Sequence, residues 1–364
     1  MNTEELPVIF LGGSPLERGR IHGETLRGSI RSLHEIFQDQ FASVARAGVS
    51  SVKQFLADFH ASTHFVRDIE QWTPGLLDEL RGIAEGTALS FEQVFELNLI
   101  DEIWSRAARL SRPEAPKACT AFGVVSRAGE PTWSGQNMDV GTWLEGYQTL
   151  LRVHPQNGTP DAYLYAYAGS IGINGMNDAP LGVSCNSLVM LRNASSGVPV
   201  LFILRRLLEC RTMSEAVQFL RAVPHASGQN YLVAAPGTVR SFECSAGGVA
   251  EYEPNPAHLR VCHANHPLAS ADRDPAIAFV SASSHARMAS INARLGQSDE
   301  TVTLDTIKRA LAAHDDPDFP VSVVGGEPQA GYTLGSSIYE LSGTPKLHQA
   351  AGPPCSTAWK TFEF

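Results

Sequence analysis

The hydrophobic spacing of this chain changes period at Cys119, and that change limits what the chain can fold into. Before it, apolar residues recur at helical spacing through Ile30, Leu33, Ile36, Phe37 and Phe41, through Val52, Phe55, Leu56 and Phe59, and through Leu76, Leu77, Leu80 and Ile83. Ser14-Pro15-Leu16-Glu17 and Ser90-Phe91-Glu92-Gln93 each place a hydroxyl three residues ahead of a Glu or Gln. This is a capping box that opens a helix. In this part only Pro7 to Leu11 reads as a strand. After Cys119 come short apolar runs closed by turn residues. Thr120–Val125 and Thr132–Met138 flank Arg127-Ala128-Gly129-Glu130-Pro131, and Tyr147–Val153 and Tyr163–Tyr167 flank the tight-turn pair Asn157-Gly158. Further strands fit Ile171–Asn174, Gly182–Ser187, Tyr231–Ala235, Val239–Glu243, Leu259–Ala264, Ser336–Leu341, Lys346–Gln349 and Ala358–Phe364. Helices fit Val198–Glu209, Ser214–Arg221, Ser283–Leu295 and Leu304–Ala313. Paired strands interleaved with pairs of helices predict an α+β protein built as an antiparallel, layered sandwich.

With 364 residues, 43% of them hydrophobic, the chain can bury a large core, and layered α+β enzymes of this length often form one domain. The net charge of −10 is spread along the sequence, and no basic block marks a nucleic-acid partner. No apolar run approaches the ~20 residues that span a membrane. The acidic start, Met1 to Pro7, lacks the apolar core of a secretory signal. The six cysteines (Cys119, Cys185, Cys210, Cys244, Cys262 and Cys355) are widely spaced with no C-x-x-C pair. That usage fits reduced thiols in the cytoplasm better than a disulfide framework or a zinc site. His60 and His64 share a helix face, but without the Glu of H-E-x-x-H or a third ligand no metal is expected. There is no G-x-G-x-x-G and no P-loop, and nothing calls for a cofactor.

Cys119 itself stands at the first position of its strand. The small Ala118 precedes it, and the Pro/Ala-rich stretch Arg112 to Lys117 precedes that. One reading is a small buried hydrophobe, as most free cysteines are. The other is a nucleophile made by cutting the chain just before it. A thiol needs a base, and no histidine adjoins Cys119 in sequence. A freed α-amine, with a pKa of about 7.7–8.0, accepts the proton of its own side chain near neutral pH.

Five segments in order extend that reading. They are Gly13-Ser14-Pro15-Leu16-Glu17-Arg18-Gly19-Arg20-Ile21-His22-Gly23, Glu79-Leu80-Arg81-Gly82-Ile83-Ala84-Glu85-Gly86, Cys119-Thr120-Ala121-Phe122, Gly135-Gln136-Asn137-Met138-Asp139 and His263-Ala264-Asn265-His266. Together they resemble the acyl-coenzyme A:6-aminopenicillanate acyltransferase (isopenicillin-N acyltransferase-like) family of N-terminal nucleophile hydrolases, over most of the chain. The resemblance implies a four-layer αββα sandwich with two packed antiparallel sheets. It implies a precursor cut between Ala118 and Cys119, giving a mostly helical α chain, 1–118, and a catalytic β chain, 119–364, within one domain. It makes Cys119 the nucleophile, Asp139 the group that holds its amine, and Asn265 the donor to the tetrahedral oxyanion. Asn137, Gly172 and Asn174 become candidates for lining the substrate pocket.

Each of these residues also has a local reading. Asp139 suits a turn cap, Asn265 a turn before Pro267, and His22, His263 and His266 local hydrogen bonds. The family's arginine after a Pro-Phe-Ser run has no counterpart in Pro320 to Gly326, so the penicillin reaction is not carried over. The implied activity is hydrolysis of a linear amide, an N-acyl or β-amino-acyl conjugate, through a Cys119 thioester, with transfer of the acyl group to an amine as a second outcome. The partner is then a small molecule, and a homo-oligomer is compatible with it. The rival is an unprocessed protein of the same fold, either a thiol hydrolase served by a distant histidine or a non-catalytic binder.

Overall fold

Both predicted capping boxes form. Ser14 and Ser90 accept from the backbone N–H three residues on, and Glu17 and Gln93 accept in return from the N–H of the capping serine. The computed structural model describes residues 6–45, 51–111, 118–126, 129–253, 259–277, 281–296, 301–325 and 331–364. The predicted link 112–117, the turn residues Arg127 and Ala128, the segment Met1 to Glu5 and Gly326 lie outside the described residues. After β1 (Val8–Gly13) come α1 (Pro15–Thr25), α2 (Arg27–Ala45), α3 (Val52–Ser62), α4 (Phe65–Trp72), α5 (Pro74–Thr87), α6 (Phe91–Leu97) and α7 (Ile100–Ser111). Then follow β2 (Ala118–Val124), β3 (Thr132–Gly141), β4 (Gln148–Pro155), β5 (Ala162–Tyr167), β6 (Asn174–Asn177), β7 (Gly182–Ser187), α8 (Val200–Leu207) and α9 (Met213–Ala222). The chain finishes with β8 (Gln229–Ala235), β9 (Thr238–Ser245), β10 (Gly248–Tyr252), β11 (Arg260–His263), α10 (Ala282–Ile291), α11 (Leu304–Leu311), β12 (Gly331–Leu341), β13 (Lys346–Ala350) and β14 (Trp359–Glu363).

The strands form two sheets, one of eight strands in the order β1-β4-β5-β6-β7-β8-β9-β10 and one of six in the order β11-β2-β3-β12-β13-β14. They face each other through β2 and β3 against β7 and β8. Helices α1, α8 and α9 cover the larger sheet, and α10 lies on β2 and β11 of the smaller one, so the layers run αββα. Pairing is antiparallel except between β1 and β4, which run parallel at one edge. The sequence reading of purely antiparallel sheets missed this pair. Seven helices intervene between β1 and β2, so no tight turn dictates the direction of β1. Two short elements, α4 and β10, also escaped the reading.

The β2–β3 register fixes the site. Ala118 pairs with Asp139, Cys119 with Met138 and Thr120 with Asn137. Strand side chains alternate between faces. Cys119, Ala121, Met138 and Val140 therefore join the large core against the other sheet. Phe122, Val124 and Trp133 pack outward on Met288, Ile291, Leu295, Ile307 and Leu311.

Helices α1 and α5 cross almost backbone to backbone, which explains the glycines in both of their motifs. A Cβ on Gly19 would lie 1.9 Å from the Glu79 carbonyl oxygen, and one on Gly82 would lie 2.2 Å from that of Leu16. Overpacking of this kind costs about 1–3 kcal/mol. Gly82→Ala should therefore lower stability by about 2–3 kcal/mol in urea unfolding, whereas Gly28→Ala, with nothing within 4 Å, should be neutral or slightly stabilising.

Candidate active site

Polar groups converge on the main chain of Cys119. Its N–H donates to Asn265 Oδ1 at 2.7 Å, and its carbonyl accepts from Arg287 Nη1 at 2.6 Å. The same Nη1 reaches Thr120 Oγ1 at 2.9 Å, and Arg287 Nη2 reaches Asn265 Oδ1 at 2.9 Å. Asn265 is held from its other side: Nδ2 donates to the Ser187 carbonyl at 3.0 Å, and its N–H donates to Ser284 Oγ at 2.7 Å. Both partners of Oδ1 are donors, so the amide orientation is determined. The sequence reading aimed the Asn265 amide at an oxyanion. In the intact chain Asn265 is instead the acceptor for the Cys119 N–H.

Asp139, opposite Ala118, receives the Thr333 hydroxyl on Oδ1 at 2.5 Å, while its buried Oδ2 has no partner among the described residues. Burial raises the Asp139 carboxyl to about 6, against the opposing pull of Arg287 and Thr333. The Cys119 thiol is pushed up to about 12, first by burial and then by the Asp139 charge, with Arg287 working in the other direction. Burial also lowers the pKa of Arg287, which Asp139 and Cys119 partly restore. In this state the thiol is therefore protonated and unreactive at neutral pH.

A cavity of about 40 Å³ adjoins the thiol, enough for water and too small for an acyl group. Its walls include Ile100 and Asp101 from α7, Met138 and Asp139 from β3, Cys185 and Ser187 from β7, and Val200 and Leu201 from α8. No histidine lines it among the described residues.

Of the residues proposed from sequence, Cys119, Asp139 and Asn265 come together, with Ala118 beside them. The pocket candidates do not. Asn137 sits on the opposite strand face, where it donates to the Leu311 and Val321 carbonyls and accepts from Ser336. Asn174 accepts from Ser337 and Tyr339 between the sheets. Gly172 is a turn residue at φ +124°, where a Cβ would strike Leu164. Only Ile173, between the last two, reaches the cavity. The histidines are structural: His22 Nε2 accepts from the Gly169 N–H, His263 bonds Glu243, and His266 bonds Ser284. No group of three or more metal-ligating side chains occurs among the described residues.

Sequence reasoning missed Arg287 by seeking an arginine near Gly325. The signal was present. Ser284, Arg287, Met288 and Ile291 lie at i, i+3, i+4 and i+7 on α10, so the guanidinium falls on the buried stripe.

A family profile, acyl-coenzyme A:6-aminopenicillanic acid acyl-transferase, matches residues 126–344, well over half the chain. The chain belongs to that family. The matched stretch includes Asp139, Asn265 and Arg287 and begins just beyond Cys119. The 40 kDa form of acyl-coenzyme A:6-aminopenicillanic-acid-acyltransferase from Emericella nidulans is 26% identical over 206 residues, which cover 57% of this chain and 54% of that protein. The chain thus spans about half the length of the curated relative it matches. Among solved structures, a mutant conjugated bile acid hydrolase from Clostridium perfringens superposes with a TM-score of 0.43 at 12% identity, over 68% of this chain and 97% of the other. Penicillin V acylase from Agrobacterium tumefaciens gives 0.40 at 13%, over 66% and 85%.

Uncleaved chain at pH 8 should take up iodoacetamide at the exposed Cys355 alone. With a thiol near 12, only roughly one Cys119 in 10⁴ is ionised there. Labelling of Cys119 should keep rising with pH past 9 rather than level off, as peptide mass mapping would record.

Proposed function

We infer that the chain is a self-processing amide hydrolase of its family, cut between Ala118 and Cys119, whose new N-terminal cysteine passes its thiol proton to its own α-amine and attacks a linear amide, breaking the C–N bond to give a thioester and an amine that leaves with that proton. Water then releases the acid, and an amine in its place would accept the acyl group. The observation that carries this reading is the absence of a histidine from the Cys119 cavity among the described residues, combined with the polar side chains of Asn265 and Arg287 gathered on the Cys119 nitrogen and carbonyl. A thiol in that position needs another base, and the amine freed by cleavage supplies one at the right atom. That argument also disfavours an unprocessed thiol–histidine enzyme.

In the processed enzyme Asp139 holds the amine and Asn265 turns its amide toward the developing oxyanion. Arg287 steadies Asn265 and the Cys119 carbonyl. The substrate is a small N-acyl or β-amino-acyl conjugate, and residues 1–118 remain part of the pocket wall through Ile100 and Asp101.

Intact-mass spectrometry should find two chains, 1–118 and 119–364, in the wild-type protein, and one chain in Cys119→Ala. Full-length wild type with full amidase activity would sink the reading. Asn265→Ala, assayed on processed enzyme, should lose about 10²–10³ in kcat, the usual worth of one oxyanion donor. Loss confined to KM would deny Asn265 that role.

A further inference from the structure

A second cavity lies away from Cys119. It is a cleft of about 530 Å³ between the β1–α1 turn, the start of α5, the β4–β5 hairpin and the end of α8, within the size range of small-molecule sites. Two buried arginines line it. Arg18 donates through Nε to Glu79 at 3.2 Å and through Nη1 to the Gly13 carbonyl at 2.8 Å. Arg205 is 3% exposed. Its Nη2 bonds both Glu79 oxygens at 2.8 and 3.2 Å, and its buried Nη1 has no partner among the described residues. One carboxylate thus serves two guanidinium groups. At the rim a third arginine, Arg206, faces Glu209, whose nearest oxygen is 3.9 Å from Arg206 Nε and too far for a hydrogen bond. The walls carry three arginines and one carboxylate, Glu209, with Glu79 bonded to Arg18 and Arg205 behind them, set among Trp72, Val153, Leu164 and Leu208.

We propose that this cleft binds a small monoanion with an apolar body, a carboxylate on a hydrocarbon chain or ring, its charge compensating the Arg18–Arg205–Arg206 group. A buried guanidinium with an unused donor is costly. A carboxylate accepts from such donors in charge-assisted bonds, while the apolar wall takes the rest of the ligand. Glu209 is the group that opposes binding, so it sets how tightly an anion is held. The proposal does not depend on cleavage or on the chemistry at Cys119.

Calorimetric titration of the purified protein with octanoate and with octanamide tests it. Octanoate should bind at one site about tenfold more tightly than the neutral amide. Arg206→Gln, a half-exposed rim change, should weaken octanoate by about fivefold. Glu209→Gln should tighten it by a similar factor, an outcome that misfolding cannot mimic. Equal binding of acid and amide, no octanoate binding, or wild-type affinity in both variants would overturn the proposal. The last result would place the ligand outside this cleft.

Discussion

The Arg287 guanidinium is the interaction on which the candidate site depends. It is buried, yet it bonds the Cys119 carbonyl, the Thr120 hydroxyl and the Asn265 amide oxygen, joining α10 to the first residues of β2 and to the loop after β11. A buried charge persists only where it is hydrogen-bonded and electrically compensated, and Asp139 is the carboxylate whose field supports it. Removing one partner of such a buried set costs about 3–5 kcal/mol. The position of α10, the register of β2 and the orientation of Asn265 therefore stand or fall together. Arg287 also favours the Cys119 thiolate, but burial and Asp139 outweigh it in the intact chain.

Strand parity decides the rest of the geometry. Because Cys119 faces the larger sheet, its surroundings come from β7, α7 and α8 and are mostly apolar. Because Thr120, Asn137 and Asp139 face the other way, polar contacts accumulate on the outer side. There Asn137 donates to the carbonyls of Leu311 and Val321, and the Thr333 hydroxyl donates to Asp139 while accepting from the Val323 N–H. Cys119 thus lies on an apolar inner face, while the polar groups around its main chain work from the outer one, where they too are buried.

This division also explains what could be read from the sequence. The helix starts at Ser14 and Ser90, the β2–β3 and β4–β5 hairpins and the layered class follow from local signals, namely capping boxes, Asn157-Gly158 and a change of period. Cys119, Asp139 and Asn265 were legible as parts of motifs. Asn137 was misassigned because motif proximity to Asp139 was taken without the register, and only the pairing of Thr120 with Asn137 shows which face it occupies. The helical stripe marks Arg287 as buried, but its contact with Cys119, like those of the α7–α8 wall, was out of reach for a different reason. These groups meet Cys119 across long stretches of chain, and no local pattern encodes a contact between layers. The parallel β1–β4 edge is non-local in the same way.

One unsatisfied group in the site has a physical explanation in the proposed processing. Buried carboxylate oxygens are almost always paired, yet Asp139 Oδ2 has no partner among the described residues. Asp139 stands directly opposite Ala118 in the ladder, at the peptide bond that would be cut. Before cleavage the Cys119 nitrogen has one hydrogen, and Asn265 takes it. After cleavage that nitrogen gains hydrogens and, when protonated, a positive charge. A carboxylate with an open oxygen is the complement of such an amine, and pairing the two would relieve both the cost of the bare oxygen and the burial that raises the Asp139 pKa. On this argument the intact chain is organised for the state that follows the cut, with the polar cost of the site carried by Asp139 until the amine exists.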